Sequence, residues 1–274
     1  MLLLMLCPIL GHQGRMMKNE TKILLQKNAP SALADRPASV VSNKYLFVPS
    51  TPIIEQLENM GWELSSAKET RTSRYDFEGF NRHMLRFRNS NNVFLPGVTP
   101  EFILINGHNA RVKLAFAFGA HVHICSNGLI TGMEEGFVKY HLKYNMSDIY
   151  DGIIRVMSRV SITKDIINKM NDIELTKNEQ GIFALNAAKL RWNEEQLPKY
   201  KYEELLNVKR EEDNFNSLWK VYNRVQEGLI KGGIRYEMHN ADRSYYDNTR
   251  PINQIDREVL INIGLWNLAC QYIK

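Results

Sequence analysis

Residues 101–128, EFILINGHNARVKLAFAFGAHVHICSNG, decide the fold class. Within them "EFILING", "VKLAFAF" and "HVHICS" are strand-length, largely apolar runs. Asn106-Gly107 and Asn127-Gly128 supply residues that tolerate positive φ where the chain must reverse. Links this short leave no room for a crossover helix, so neighbouring strands run antiparallel. Toward the N-terminus "WELSSAKETR" from Trp62 and "RHMLRFR" from Arg82 keep the period of two, separated by the turn-rich "NSNN" and "LPGVTP". The expectation is an antiparallel meander from Trp62 to Gly128.

On both sides of this block the pattern is helical. "YLFVPSTPIIEQLENMGWEL" reads as a short strand, a turn and a helix with Thr51 as N-cap, Pro52 in the first helical position and Gly61 past the end. After Tyr144, Ser147 caps a helix with Ile149, Ile153, Met157 and Val160 on one stripe, continued by Ile166, Ile167, Met170 and Ile173 beyond "SITKD". Thr176 and Glu179 form a capping box for the next helix, Pro198 interrupts, and "YKYEELLNVKREED" is a charged connection. "NSLWKVYNRVQEGLIKGG" is a helix ended by Gly232-Gly233, and Ile255, Val259, Ile263 and Trp266 form the stripe of a last helix. Between these two helices "GGIRYEMHNADRSYYDNTRP" has no periodicity and reads as a loop, either a binding element or a surface excursion. The order predicts an α+β fold, an antiparallel β-meander packed with helices and followed by a helical C-terminal half. The expected division is a spurious or flexible arm over 1–40, a sheet core over 41–145, and a helical region over 146–274 on the same core.

The chain has 274 residues, 44% of them hydrophobic and 24% charged, which excludes disorder as its main state. Its net charge of +5 permits nucleic-acid contact without demanding it. Cys7, Cys125 and Cys270 are widely spaced and form no C-x-x-C pair, so neither a disulfide framework nor a zinc ribbon is indicated, and a reducing cytoplasm is expected. Leu2–Leu10 is almost wholly apolar yet lacks a charged n-region and a cleavage site, and a bilayer span needs ~20 apolar residues. The reading preferred is a natural start at Met16 or Met17, with no membrane contact. No strand is followed by a glycine-rich phosphate loop, no G-x-S-x-G occurs, and no cofactor is expected.

Two stretches carry candidate chemistry. Between residues 71 and 92, Arg71, Arg74, Arg82, Arg86 and Arg88 are interleaved with Tyr75, Phe77, Phe80 and Phe87. In a strand over "RHMLRFR", Arg82, Met84, Arg86 and Arg88 share a face opposite His83, Leu85 and Phe87. Arginines ~6.8 Å apart approximate the phosphate spacing of an extended single strand, and nearby aromatic rings can stack on bases. The alternative is a solvated face whose arginines pair with Glu69, Asp76 and Glu78. The second stretch is "HVHIC", in which His121, His123 and Cys125 share a strand face, with His108 or His141 available to complete a metal set. No acidic ligand lies in that strand, so ordinary half-buried polar positions explain it better. Cys125 as a nucleophile activated by His123 is weaker still.

Several pieces together resemble one family of phage- and plasmid-borne proteins, a domain of unknown function, number nine hundred and thirty-two. They are "YLFVPSTPIIEQLENMGWEL", "RHMLRFR", "EFILINGHNARVKLAFAFGA", "CSNGLITG", "LWKVYNRVQEGLIKGG" and "TRPINQIDREVLINIGLWNLA", spanning roughly residues 40–270. "CSNGL" is the most specific. Where the family places an arginine shortly before the cysteine, this chain has Val122. The order of meander then long helix is also similar to single-strand annealing proteins, whose β-β-β-α unit forms rings with a basic groove. The family name brings no established activity; phage and plasmid context, that likeness of architecture and the arginine face of "RHMLRFR" together lead to the expectation of a non-enzymatic protein of DNA metabolism that binds single-stranded DNA, in annealing or recombination, as a homo-oligomer in a bacterial cytoplasm. The alternatives are a protein-interaction or anti-defence protein without DNA binding, and a metal-dependent enzyme.

Overall fold

The computed structural model describes residues 16–89, 94–123, 126–135, 146–240 and 243–273. Helix α1 (Asn19–Asn28) leads through a short 3-10 turn to an extended stretch and helix α2 (Thr51–Asn59). The sheet follows as β1 (Glu63–Glu69), β2 (His83–Arg88), β3 (Val98–Asn106), β4 (Ala115–Val122) and β5 (Asn127–Glu135), each antiparallel to the next and in sequence order. Then come α3 (Met146–Met157), α4 (Arg159–Asp172), α5 (Lys177–Ala188) and α6 (Leu218–Lys231), a hairpin of β6 (Arg235–Asn240) and β7 (Arg243–Asn248), and α7 (Ile255–Cys270). The α+β class and the antiparallel meander are as the sequence predicts. Among the described residues no helix is long and apolar enough to cross a membrane.

Both faces of the sheet are buried. On one, Leu85, Phe87, Phe102, Leu104, Phe116 and Phe118 join the main core, which also takes Leu25 from α1, Ile53 from α2, Phe183 from α5 and Trp266 from α7. On the other, Met84, Ile103, Ile105, Ala117 and Ile130 pack against Ile255 and Val259 of α7. The runs in β3 and β4 are therefore continuous rather than alternating, as strands covered on both sides require.

Several local expectations are corrected. Residues 19–33 are no free arm: α1 packs on β1, and Leu25, Ala29 and Ala32 are fully buried. No strand forms at Tyr45–Val48, where the Val48 carbonyl accepts from Asn106 Nδ2 at 2.9 Å, and α2 has Ser50, not Thr51, as its N-cap. "HVHICS" is not a separate strand, because β4 runs on through Val122; the fifth strand begins at Asn127. The left-handed residues at the two reversals are Ala110 (φ 58) and Ser126 (φ 49). Helices α3 and α4 break at Ser158, ahead of "SITKD", which is helical. The Thr176 capping box is present in full: the Thr176 hydroxyl accepts from the Glu179 N–H, and Glu179 accepts from the Thr176 N–H at 2.8 Å. "RYEMHN" and "RSYYDN" are paired strands, not loop.

Strand β4 carries one irregularity with a visible cause. The register against β5 shifts between Phe118 and Gly119, and a Cβ at Gly119 would lie 2.0 Å from the Leu129 carbonyl oxygen. Only glycine permits that approach of backbone to backbone, as bulges in strands commonly require.

Candidate nucleic-acid interface

The arginine face of β2 is closed. Helix α7 lies over it, and Arg86 is 6% exposed. Arg86 Nη1 donates to Glu101 Oε2 at 2.7 Å and its Nη2 to Glu258 Oε1 at 3.0 Å. Arg88 Nε donates to the other Glu101 oxygen at 2.8 Å, and Lys68 donates to the other Glu258 oxygen at 2.7 Å. Arg82 pairs with Asp256. Burial by itself lowers the Arg86 pKa, but Glu101 and Glu258 more than offset this and hold it above the ordinary value. Arg82, Arg86 and Arg88 are thus not an open ladder for phosphates. Their partners are Glu101, Glu258 and Asp256, not the Glu69, Asp76 and Glu78 considered from the sequence.

"CSNGL" gains a physical meaning here. A Cβ at Gly128 would stand 2.6 Å from Arg86 Nη1 and 3.1 Å from Glu101 Oε2, while the Gly128 carbonyl accepts from Arg86 at 3.4 Å and from Gln226 at 3.3 Å. The guanidinium is clamped by two carboxylates and cannot swing aside. Gly128→Ala is expected to destabilise the protein by about 1–3 kcal/mol, the usual range for overpacking. A urea melt measures it, and an unchanged midpoint would refute the steric role.

The turn ahead of β2 remains open. Arg71, Arg74 and Tyr75 are exposed, Tyr75 to 88%, whereas Phe77 is buried beneath them. The Arg74 guanidinium lies 4.5 Å from the Phe77 ring centroid and that of Arg111 lies 4.6 Å from it, so one ring holds two cations. Arg74 also meets Asp76 at 3.7 Å with both side chains half exposed, a weak pair. Among the described residues no carboxylate pairs with Arg71. Arg71, Arg74 and Tyr75, with Lys27 and Lys68, line an open groove of about 690 Å³ that also contains Glu69 and Glu78.

A second cavity, of about 450 Å³, was not foreseen as one site. It is built where α5 ends, at β6 and at the segment before α7, and brings together Arg191, Arg250, Arg257, Trp192, Tyr200 and Tyr236. Trp192 stacks on Tyr200 with centroids 4.4 Å apart, and Tyr200 meets Tyr236 at 5.4 Å. The two open regions adjoin, since Lys68 lines the groove and donates to the carbonyl of Ile252, which lines the cavity, at 3.3 Å. The sequence signal was the pairing of cation with aromatic at Arg191-Trp192, Tyr200-Lys201 and Arg235-Tyr236. "KLRWNEEQLPKYKYEELLNVKRE" reads as a solvated helix because its acids nearly balance its bases, yet Glu194 and Glu195 are not among the residues that line this cavity.

The histidine pair does not make a metal centre with the described residues. His121 and His123 rings lie 5.4 Å apart, but His121 Nδ1 accepts from Arg88 Nη2 at 3.0 Å and His123 bonds the Thr99 hydroxyl at 2.8 Å. Burial first, and then Arg88, holds His121 at a pKa of about 4, and a guanidinium at hydrogen-bond distance repels a metal cation as well as a proton. Among the described residues no three metal-ligating side chains cluster. Cys125 and His141 lie outside the described residues. His108 is buried against Phe47 and His83, away from this pair's contacts.

An α+β protein with a doubly covered antiparallel sheet and an open cation-aromatic surface is the class these features define. The chain belongs to the family described as "Domain of unknown function (DUF932)", whose model matches residues 37–266. It is similar to two Escherichia coli K12 proteins, "UPF0380 protein YafZ" and "UPF0380 protein YfjQ", each 28% identical over 250 residues, or 91% of this chain and 90% of the relative. No solved structure matches it.

Proposed function

We propose that the protein binds single-stranded nucleic acid, single-stranded DNA above all, along the groove beside residues 71–77. The observation that carries this reading is the pair Arg71 and Arg74 in the same open turn as the 88% exposed ring of Tyr75, with Arg74 and Arg111 over the buried Phe77 ring. Guanidiniums supply phosphate contact of any sequence, and an exposed ring offers a face to any base. The site differs from the one expected at the start, because the β2 arginines hold the sheet to α7 instead. Annealing or recombination, a homo-oligomeric state and action in a bacterial cytoplasm extend the proposal, and rest on the likeness to annealing proteins and to phage and plasmid families.

Anisotropy of a labelled oligothymidylate tests it. The combined R71A/R74A/Y75A variant should bind at least about tenfold more weakly, since one lost stack contributes ~1–3 kcal/mol. Its log–log salt slope should fall by roughly 1.4, from two phosphate contacts at ~0.7 each. Wild-type affinity weaker than ~100 μM at low salt, or a variant indistinguishable from wild type, would sink the reading.

A further inference from the structure

The cavity at the end of α5 is lined by three arginines and by no acidic residue. Arg86, Arg210 and Arg82 meet carboxylates, those of Glu101, of Glu227 and Asp213, and of Asp256, whereas the buried Arg224 is held singly by the Asp213 carbonyl and the Gln180 amide oxygen. Arg191, Arg250 and Arg257 line one cavity, and among the described residues no carboxylate pairs with any of them. Arg191 donates only to carbonyl oxygens, through Nη1 to Gly228 and Leu229 near the end of α6 and through Nη2 to Arg250, and its guanidinium lies 5.3 Å from the Trp192 ring centroid. Arg257 Nη2 in turn donates to the Arg191 carbonyl at 2.7 Å, which fixes the two residues side by side. Burial and then the Arg257 charge push the Arg191 pKa down to about 10, the direction expected of a cation lacking a counter-charge.

Everything else around the cavity favours an anion with a flat ring. Helix α7 starts at its rim, and no side chain caps that N-terminus, so its first N–H groups remain available. The acids of that first turn are engaged elsewhere, Asp256 by Arg82 and Glu258 by Arg86 and Lys68. Only three of the five N–H donors of Arg191 are used by carbonyls. The Trp192–Tyr200–Tyr236 stack forms the adjoining wall, with Trp192 buried and the two tyrosine rings partly open. A volume of about 450 Å³ falls within the range, ~300–1,000 Å³, of small-molecule sites.

We infer that this cavity binds the phosphate monoester of a nucleoside, with the phosphate between Arg191, Arg250 and Arg257 and the base against Tyr200 and Tyr236. The same group occurs on a free mononucleotide and at the phosphorylated end of a nucleic-acid strand. The inference stands on the cavity alone and does not rest on strand binding at residues 71–77.

Calorimetric titration of the full chain with dAMP, adenosine, inorganic phosphate, and an oligothymidylate with or without a 5′-phosphate tests it. dAMP should bind at least about tenfold more tightly than adenosine or phosphate, because only dAMP offers both charge-assisted bonds and a stacking ring. Arg250→Gln and Arg257→Gln, both at exposed side chains, should each weaken dAMP at least about tenfold, Arg250→Gln with unchanged thermal stability. A 5′-phosphate that tightens oligonucleotide binding and is competed by dAMP identifies a strand end as the source, whereas dAMP binding with no effect of the 5′-phosphate identifies the free nucleotide. No preference for dAMP over adenosine, or dAMP affinity untouched in both variants, overturns the proposal.

Discussion

Glu101→Gln is expected to cost about 3–5 kcal/mol of stability, the range for removing one partner of a buried ion pair. Glu101 is fully buried in β3 and receives two arginines, Arg86 at 2.7 Å and Arg88 at 2.8 Å. The amide is nearly the same size, so the effect isolates charge. Lys68 and Arg86 would then share the Glu258 carboxylate, Arg88 would lose its Glu101 carboxylate, and the new NH₂ would confront guanidinium N–H groups. Asp256→Asn is the contrast. Its partner Arg82 is 21% exposed and Asp256 itself 71%, so screening should keep the loss below ~1 kcal/mol. Urea melts of the two variants decide it. Equal losses would mean that the Glu101 cluster is no stronger than a surface pair, and that α7 is held by its apolar contacts alone.

That cluster also shows what sequence reasoning can and cannot reach. The meander was legible because its strands are long, apolar and separated by turn residues, and the capping box at Thr176 because its spacing is a local pattern. The register that places Arg88 opposite Glu101 follows from the meander itself. What neutralises Arg86 from the other side is Glu258, 172 residues further on, and no local pattern reports a partner so distant. The hairpin of β6 and β7 was hidden for a different reason. "RYEMHN" alternates only Tyr236 and Met238 with polar residues, and "RSYYDN" sets its two tyrosines side by side, so the period-two signal was too short to stand out from the turn-rich composition around it. The Arg191 cavity draws its cations from just past α5, from the segment after β7 and from the first turn of α7, and no one of these pieces alone marks a site. The stretch Arg71–Phe77 stood out because two arginines and two aromatics fall within seven residues.

Acid should unfold the protein well above the range in which carboxylates titrate, and two buried histidines are the reason. His83 and His108 are fully buried with ring centroids 5.3 Å apart. His83 bonds the Asn81 carbonyl through Nδ1 at 3.1 Å and the Ser50 hydroxyl through Nε2 at 2.8 Å, whereas among the described residues neither ring nitrogen of His108 has a hydrogen-bond partner. Because a carbonyl only accepts, Nδ1 carries the proton and Ser50 donates to Nε2, itself receiving Asn106 Nδ2 at 3.0 Å. The neutral ring is therefore the bonded one. Burial, and then the neighbouring His108, lowers the His83 pKa to about 3, and burial lowers that of His108 to about 4. In the unfolded chain both return to about 6.5. The folded values are depressed, so the unfolded state binds more protons as the pH falls. Stability is fully present above about 6.5 and is lost progressively down to the folded values. Between pH 7 and pH 5 each histidine should remove about 2 kcal/mol, roughly 4 kcal/mol together, which lowers the melting temperature by on the order of 8 °C. His108→Phe keeps an aromatic ring beside Phe47 and removes one proton site, so its stability should fall about half as steeply over the same interval. Parallel wild-type and variant curves of stability against pH would assign the acid sensitivity to other groups. A flat wild-type curve would mean that these rings reach solvent before the fold opens.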